Sequence, residues 1–113
     1  MERVQLGEFE ELVLLIVAIL NREAYGVRVM DEIRDQTGRK VNISGVHTAL
    51  DRLEKKGFLR SFTGGATPER GGRSKRYFEV TNLGIQAIEI NRKVRNALYE
   101  KIPKVVLDFE KSL

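Results

Sequence analysis

The feature that most constrains this chain is a change of period near residue 58. Up to that point the apolar residues recur at helical spacing. Beyond it lie two short runs rich in aromatic and β-branched residues, Phe58 to Thr63 and Lys75 to Val80, which read as strands. Between them stand Gly64-Gly65-Ala66-Thr67-Pro68-Glu69-Arg70-Gly71-Gly72-Arg73-Ser74. Four glycines and a proline make that stretch a loop. The three pieces together predict a β-hairpin with a long tip.

The remaining elements are helical. Glu8 to Leu20 is apolar almost all round and predicts a helix at the centre of the fold. Asn21-Arg22-Glu23-Ala24 reads as a polar connection. In a second helix, Gly26 to Gln36, Val29, Met30 and Ile33 share a buried side while Arg28, Asp31, Glu32 and Arg34 face water; Gly38 supplies a left-handed C-cap. Val41 and Ile43 suit a short extended piece. The third helix is the best marked: Ser44 is a good N-cap, and Val46, Ala49, Leu50 and Leu53 follow at i, i+3, i+4 and i+7. Lys55, Lys56 and Gly57 suit its C-terminus. Asn42-Ile43-Ser44 matches a glycosylation pattern, which we take as chance because no secretory signal precedes it. Thr81 caps a fourth helix, Asn82 to Lys101, which Pro103 ends. The tail Lys104 to Leu113 spaces Val105, Val106, Phe109 and Leu113 for one more short helix.

Helix, helix, capped helix, hairpin, long helix is the order of a winged helix-turn-helix. The expected fold class is mainly α with a small β-hairpin, a winged helix-turn-helix plus a long C-terminal dimerisation helix. Residues 1–81 form the expected winged helix-turn-helix DNA-binding domain, and 82–113 the C-terminal dimerisation helix and tail. On the fourth helix Leu83, Ala87, Ile90, Val94, Ala97 and Leu98 make a stripe within about a third of the circumference. We expect that stripe to join two copies, and Ile85 and Ile88, on the other side, to pack on the chain's own domain. The rival arrangement folds the tail back over the stripe.

Charge points to a partner. The 113 residues carry a net +4, and the hairpin from Leu59 to Arg76 alone carries that whole surplus through Arg60, Arg70, Arg73, Lys75 and Arg76 against Glu69. Positive charge concentrated beside glycines suits an arm that tracks phosphates; the plainer alternative is a loop kept soluble by its charge. The third helix turns His47, Thr48, Asp51, Arg52 and Lys55 outward. Short polar side chains near a helix start suit base edges in a major groove, and the free amides near Ser44 and Gly45 suit a phosphate. An ordinary amphipathic surface helix is the alternative. Asp51 would repel phosphates unless it pairs with Lys55 or accepts from a cytosine. His47, the only histidine, is read as a base or phosphate contact, or as a boundary residue against the second helix.

Other classes find little support. There is no cysteine, so thiolate metal sites, cysteine nucleophiles and disulfides are out, and no metal or cofactor is expected. No phosphate-binding glycine loop with its lysine and no nucleophile elbow occurs, so an enzyme is not expected. The apolar run Leu12 to Leu20 is too short to span a bilayer, and acidic residues precede it where a signal peptide carries positive charge; we expect a cytoplasmic protein.

Several stretches together resemble the PadR family of bacterial transcription regulators: Leu6-Gly7-Glu8-Phe9-Glu10, Tyr25-Gly26, Ala49-Leu50-Asp51-Arg52-Leu53-Glu54-Lys55-Lys56-Gly57, Gly71-Gly72-Arg73-Ser74-Lys75-Arg76-Tyr77-Phe78 and Thr81-Asn82-Leu83-Gly84. They cover residues 6 to 84 in order. The single helix after the wing looks like the short subfamily. His47 stands where the family commonly has tyrosine, and there is no tryptophan of the kind that sandwiches flat ligands in some drug-sensing members. The resemblance implies a homodimeric DNA-binding regulator, usually a repressor released by a small-molecule effector, often aromatic, acting on a pseudo-palindromic double-stranded operator. The expected DNA contacts are Tyr25, Ser44, Gly45, His47, Thr48, Arg52, Lys55, Arg70, Arg73, Lys75 and Arg76. The competing function is a basic protein-interaction adaptor that does not bind DNA sequence-specifically.

Overall fold

The computed structural model describes residues 5–64 and 75–108. Along the chain these form α1 (Glu8–Leu20), a 3-10 turn (Asn21–Glu23), β1 (Ala24–Tyr25), α2 (Gly26–Thr37), α3 (Ile43–Lys55), β2 (Leu59–Thr63), β3 (Arg76–Val80), α4 (Asn82–Glu100) and α5 (Lys104–Leu107). The tip of the hairpin and the last five residues lie outside the described residues.

α1 sits at the centre, as its near-continuous apolar surface requires. Val13, Leu14 and Val17 from α1 meet Val29 and Ile33 of α2, Val46, Leu50 and Leu53 of α3, and Leu59 and Phe78 of the sheet, all fully or almost fully buried. Fully burying an aliphatic side chain stabilises by about 1.5–3 kcal/mol, so this one cluster supplies most of the driving force. α2 ends at Gly38, whose φ of +73° needs a residue that tolerates the left-handed region.

Four details differ from the sequence expectations. First, the segment read as a polar connection ends in a strand. β1 pairs antiparallel with β3 (Ala24 opposite Phe78, Tyr25 opposite Tyr77), and β3 also pairs with β2, so the hairpin becomes a three-stranded sheet in the order β1-β3-β2. Two residues are too few for a visible alternation. Secondly, α3 begins at Ile43, and its N-cap is Asn42, not Ser44. The Asn42 side chain accepts from the Gly45 amide at 2.7 Å, and the Ser44 hydroxyl donates to the same oxygen at 2.9 Å. Asparagine and serine are comparable caps, and the earlier one captured the free amide. Thirdly, Glu32 is only 9% exposed. Gln36 donates to its carboxylate at 2.7 Å and Arg28 lies 3.5 Å away, which satisfies the charge that burial strips of water.

The fourth concerns α4. Its first half docks on the winged domain through Gly84, Ala87 and Ile88, and Asn91 and Arg95 reach Glu11 of α1 at 3.0 and 3.2 Å. Ala87, expected on the dimer stripe, is 1% exposed and belongs to this docking face. Ile85, expected to pack on the domain, is 48% exposed; Ile88 packs as expected. From Arg92 to Glu100 every residue of α4 is exposed, with only Arg95 reaching back to Glu11 of α1.

Candidate nucleic-acid interface

α3 presents a polar face built from its cap onward. The exposed residues are Ser44, His47, Thr48, Asp51, Arg52 and Lys55, which is the set left over once Val46, Ala49, Leu50 and Leu53 turn inward. Thr48 donates its hydroxyl proton to the Ser44 carbonyl at 3.0 Å, and Ser44 donates to Asn42. Their outward lone pairs are therefore acceptors. Arg52 and Lys55 form no ion pair with any described residue. Gly45 is half-buried beneath the cap, where its amide serves Asn42.

Of the two positions the sequence left open for His47, the structure shows the boundary against the second helix. It is exposed, yet its ring edge lies close against the start of α2: a Cβ on Gly26 would fall 2.6 Å from His47 Cε1 and 2.9 Å from Nε2. The glycine of the Tyr25-Gly26 pair thus makes the seat for the imidazole.

Next to this face stands the base of the wing. On the outer side of the sheet Tyr77 stacks on Phe62 and meets Tyr25 edge to face, both at 5.5 Å between ring centres. Two cations cover the rings, with Lys75 Nζ 3.8 Å above Tyr25 and Arg22 4.8 Å above Phe62. Such contacts hold a cation in place without neutralising it. Gly64 permits the stack, since a Cβ there would strike the Tyr77 ring at 2.0 Å. Arg60 and Arg22 share the carboxylate of Glu79 at 2.5 and 3.1 Å.

Arg76 is differently placed from the other cations. Its guanidinium meets Asp51 at 3.2 Å and also binds Glu54, both on α3. Asp51 thus pairs across to the wing and not along the helix to Lys55. Glu54 in turn accepts from the Ser61 amide at 3.1 Å and hydroxyl at 2.6 Å. Sequence reasoning missed Glu54 as a site residue because its partners are seven and 22 positions away. Arg70 and Arg73, also expected as contacts, lie outside the described residues.

The other flank of α3 is tied to the start of α1. Lys56 Nζ donates to Glu10 at 2.8 Å and to the Gln5 carbonyl at 3.1 Å. Burial pushes the Glu10 carboxyl up, but Lys56, the Gly7 amide and the nearby Arg52 together hold it below its ordinary value. Between these elements runs an open groove of about 570 Å³ lined by Phe9, Ser44, Thr48 and Arg52 among others. Among the described residues no group of histidine and carboxylate side chains could hold a metal ion, and no helix is long and apolar enough to cross a membrane.

Known proteins share this fold. The chain aligns along 88% of its length with 99% of a PadR family transcription regulator from Clostridium difficile, at 19% identity and a TM-score of 0.70. A PadR-like transcription factor from Bacteroides fragilis aligns at 17% identity over 86% of this chain and 88% of that one, again with a TM-score of 0.70. Bacillus subtilis PadR, solved in complex with operator DNA, aligns at 16% identity over 73% of this chain and 45% of that one, with a TM-score of 0.60. These likenesses establish a shared fold. Comparison with curated proteins finds no match. The model of the Transcriptional regulator PadR-like family matches residues 14–90, from the core of α1 through the wing to the docked half of α4, and the chain belongs to that family.

Proposed function

We propose that this transcription regulator binds double-stranded DNA sequence-specifically, as a homodimer, and acts as a repressor released by a small molecule. The observation that carries the DNA reading is one continuous surface. The exposed face of α3, with Ser44, His47, Thr48, Arg52 and Lys55, adjoins the wing base, with Tyr25 and Lys75, and its cations Arg52, Lys55 and Lys75 form no ion pair among the described residues. A helix with short polar residues at its exposed start fits a major groove, and cations beside it fit the phosphates on either side. Arg70 and Arg73 in the hairpin tip extend that cationic edge in sequence. Bacillus subtilis PadR, a protein of this fold, is solved in complex with operator DNA, which supports the DNA reading. On this reading the chain works in the cytoplasm.

Dimerisation is supported by an apolar strip along α4 that the domain leaves uncovered. Leu83, Val94 and Leu98 are 49%, 48% and 61% exposed, and Ile90 and Ala97 lie on the same strip. Residues 82–113 are thus the dimer-forming unit and 1–81 the DNA-binding unit. An uncovered apolar strip of this kind marks an interface. A two-fold pair of α3 helices would read half-sites about one helical turn apart, roughly 10 bp, in a pseudo-palindromic operator. Beside the strip, Leu15, Ile88, Arg92 and Asn96 line a groove of about 290 Å³ between α1 and α4. A small aromatic effector lodged there would shift α4 and so the half-site spacing.

The test separates α3 from the wing. Thr48→Ala and Arg52→Ala are expected to narrow the preference for a selected duplex over a random one by about 1–3 kcal/mol. Arg73→Ala is expected to weaken both duplexes alike and to reduce the salt slope by about one. Equal loss of preference in all three variants refutes this division.

A further inference from the structure

We propose that Arg76 is a positioning residue that fixes the angle between the wing and α3, and that it does not contact phosphate. The inference rests on the DNA-binding reading above and changes what one of its cations does. Arg76 opens β3, opposite Thr63 at the loop end of the hairpin. Its guanidinium spans Asp51 and Glu54, one turn apart on α3, and lies 4.8 Å over the Phe78 ring. The second oxygen of Glu54 takes both the amide and the hydroxyl of Ser61 on β2. One carboxylate therefore links the recognition helix to both strands, and Arg76 doubles the link.

The charge of this cluster decides the role. One guanidinium faces two carboxylates, so the group is net negative, and a phosphate approaching Arg76 would also meet the charge of Asp51 and Glu54. To bind a phosphate, Arg76 would have to leave charge-assisted hydrogen bonds that are among the stronger kinds. Lys75, one residue earlier, has no such partner among the described residues and sits over a ring. Adjacent basic residues of the wing thus divide the work, Lys75 for the duplex and Arg76 for the hinge. Because α3 and the wing must engage DNA together, an error in their angle costs affinity without removing any phosphate contact.

The experiment titrates two duplexes at several salt concentrations: one selected from a random pool by the wild-type protein, and one random. The proteins are wild type, Arg76→Gln, Arg76→Lys, Glu54→Gln and the double variant Arg76→Gln/Glu54→Gln. Gln at 54 keeps an acceptor for Ser61, so at least this variant is expected to stay folded, which its melting curve checks. The expected result is a loss of about tenfold on the selected duplex for either Gln variant, with the double variant no worse, since the residues act as one unit. Arg76→Lys, which keeps the charge but not the planar fork, fails like Arg76→Gln. The salt slope on random duplex is unchanged in all of them. The proposal is overturned if Arg76→Gln lowers that slope by about 0.9, the value for one phosphate contact, or if Arg76→Lys restores binding. It is equally overturned if Glu54→Gln tightens binding, or if the Gln variants lose selected and random duplex equally. A wild-type protein that binds no duplex would instead refute the DNA-binding reading beneath it.

Discussion

Replacing Gly84 by alanine tests how α4 is attached to the wing. A Cβ at this position would lie 2.2 Å from the Phe58 carbonyl oxygen and 2.7 Å from Val80 Cγ1. An ordinary carbon–oxygen contact is about 3.3 Å, so the helix must back away by roughly 1 Å. The obstacle is backbone, fixed by the Thr81 amide donating to Phe58 at 3.1 Å and the Thr81 hydroxyl donating to Gly57 at 2.6 Å, and cannot swing aside. Backing away also stretches the cap, in which Thr81 accepts from the Gly84 amide at 3.1 Å. Overpacking costs about 1–3 kcal/mol and a lost cap about 1 kcal/mol. Against this, alanine gains up to about 1 kcal/mol over glycine in a helix. The net expectation is a loss of about 2 kcal/mol, which for a domain of this size lowers Tm by about 10 °C. Thermal unfolding followed by circular dichroism measures it, at one protomer concentration because association shifts apparent stability. A variant as stable as wild type would show that α4 does not approach Phe58 this closely, and the docking of its first half would be refuted with it.

Three further expectations follow from other contacts. Gly26→Ala should displace the His47 ring and lower affinity for a selected duplex as much as His47→Ala does, with Tm changed little because the obstacle is a movable side chain; unfolding of Gly26→Ala, or an affinity equal to wild type, contradicts this. Glu10→Gln should lower stability in urea at neutral pH. Because the folded carboxyl lies below its ordinary 4.5, its contribution is complete above that value and is lost as pH falls through the lowered one, so the gap between the two proteins should close in acid; a gap independent of pH refutes the Lys56 pairing. Ile90→Asp with Val94→Asp should turn a sedimenting dimer into a monomer and abolish operator binding at micromolar concentration, whereas a double variant that stays dimeric and binds normally removes α4 from the interface.

Most of the architecture was legible in the sequence because its signals are local. α1, α2 and α4 are set by apolar spacing and by Thr81, Gly38 and Pro103 at their ends. What escaped depends on partners far along the chain. β1 exists only because Ala24 and Tyr25 find Phe78 and Tyr77, more than 50 residues later. The N-cap moved from Ser44 to Asn42 because two good caps stood two residues apart and local chemistry does not rank them. Ala87 fits the apolar stripe by spacing, yet its side of the helix meets the domain at that turn, and periodicity alone does not say where a helix leaves its own core. The outward face of α3 was legible for the same reason as its inward face. The pairing of Arg76 with Asp51 and Glu54 was not, since counting charge along the hairpin cannot show which cations are already held.

The most direct test of the account is the salt dependence of duplex binding by the intact wild-type protein. Fluorescence anisotropy would compare DNA from upstream of its own gene with a shuffled duplex of equal length and composition. The account predicts tighter binding to the upstream fragment, two protomers per site, and an affinity that falls linearly with the logarithm of salt on both duplexes, as counterion release requires. Absence of salt-dependent binding to either duplex at micromolar protein would contradict it.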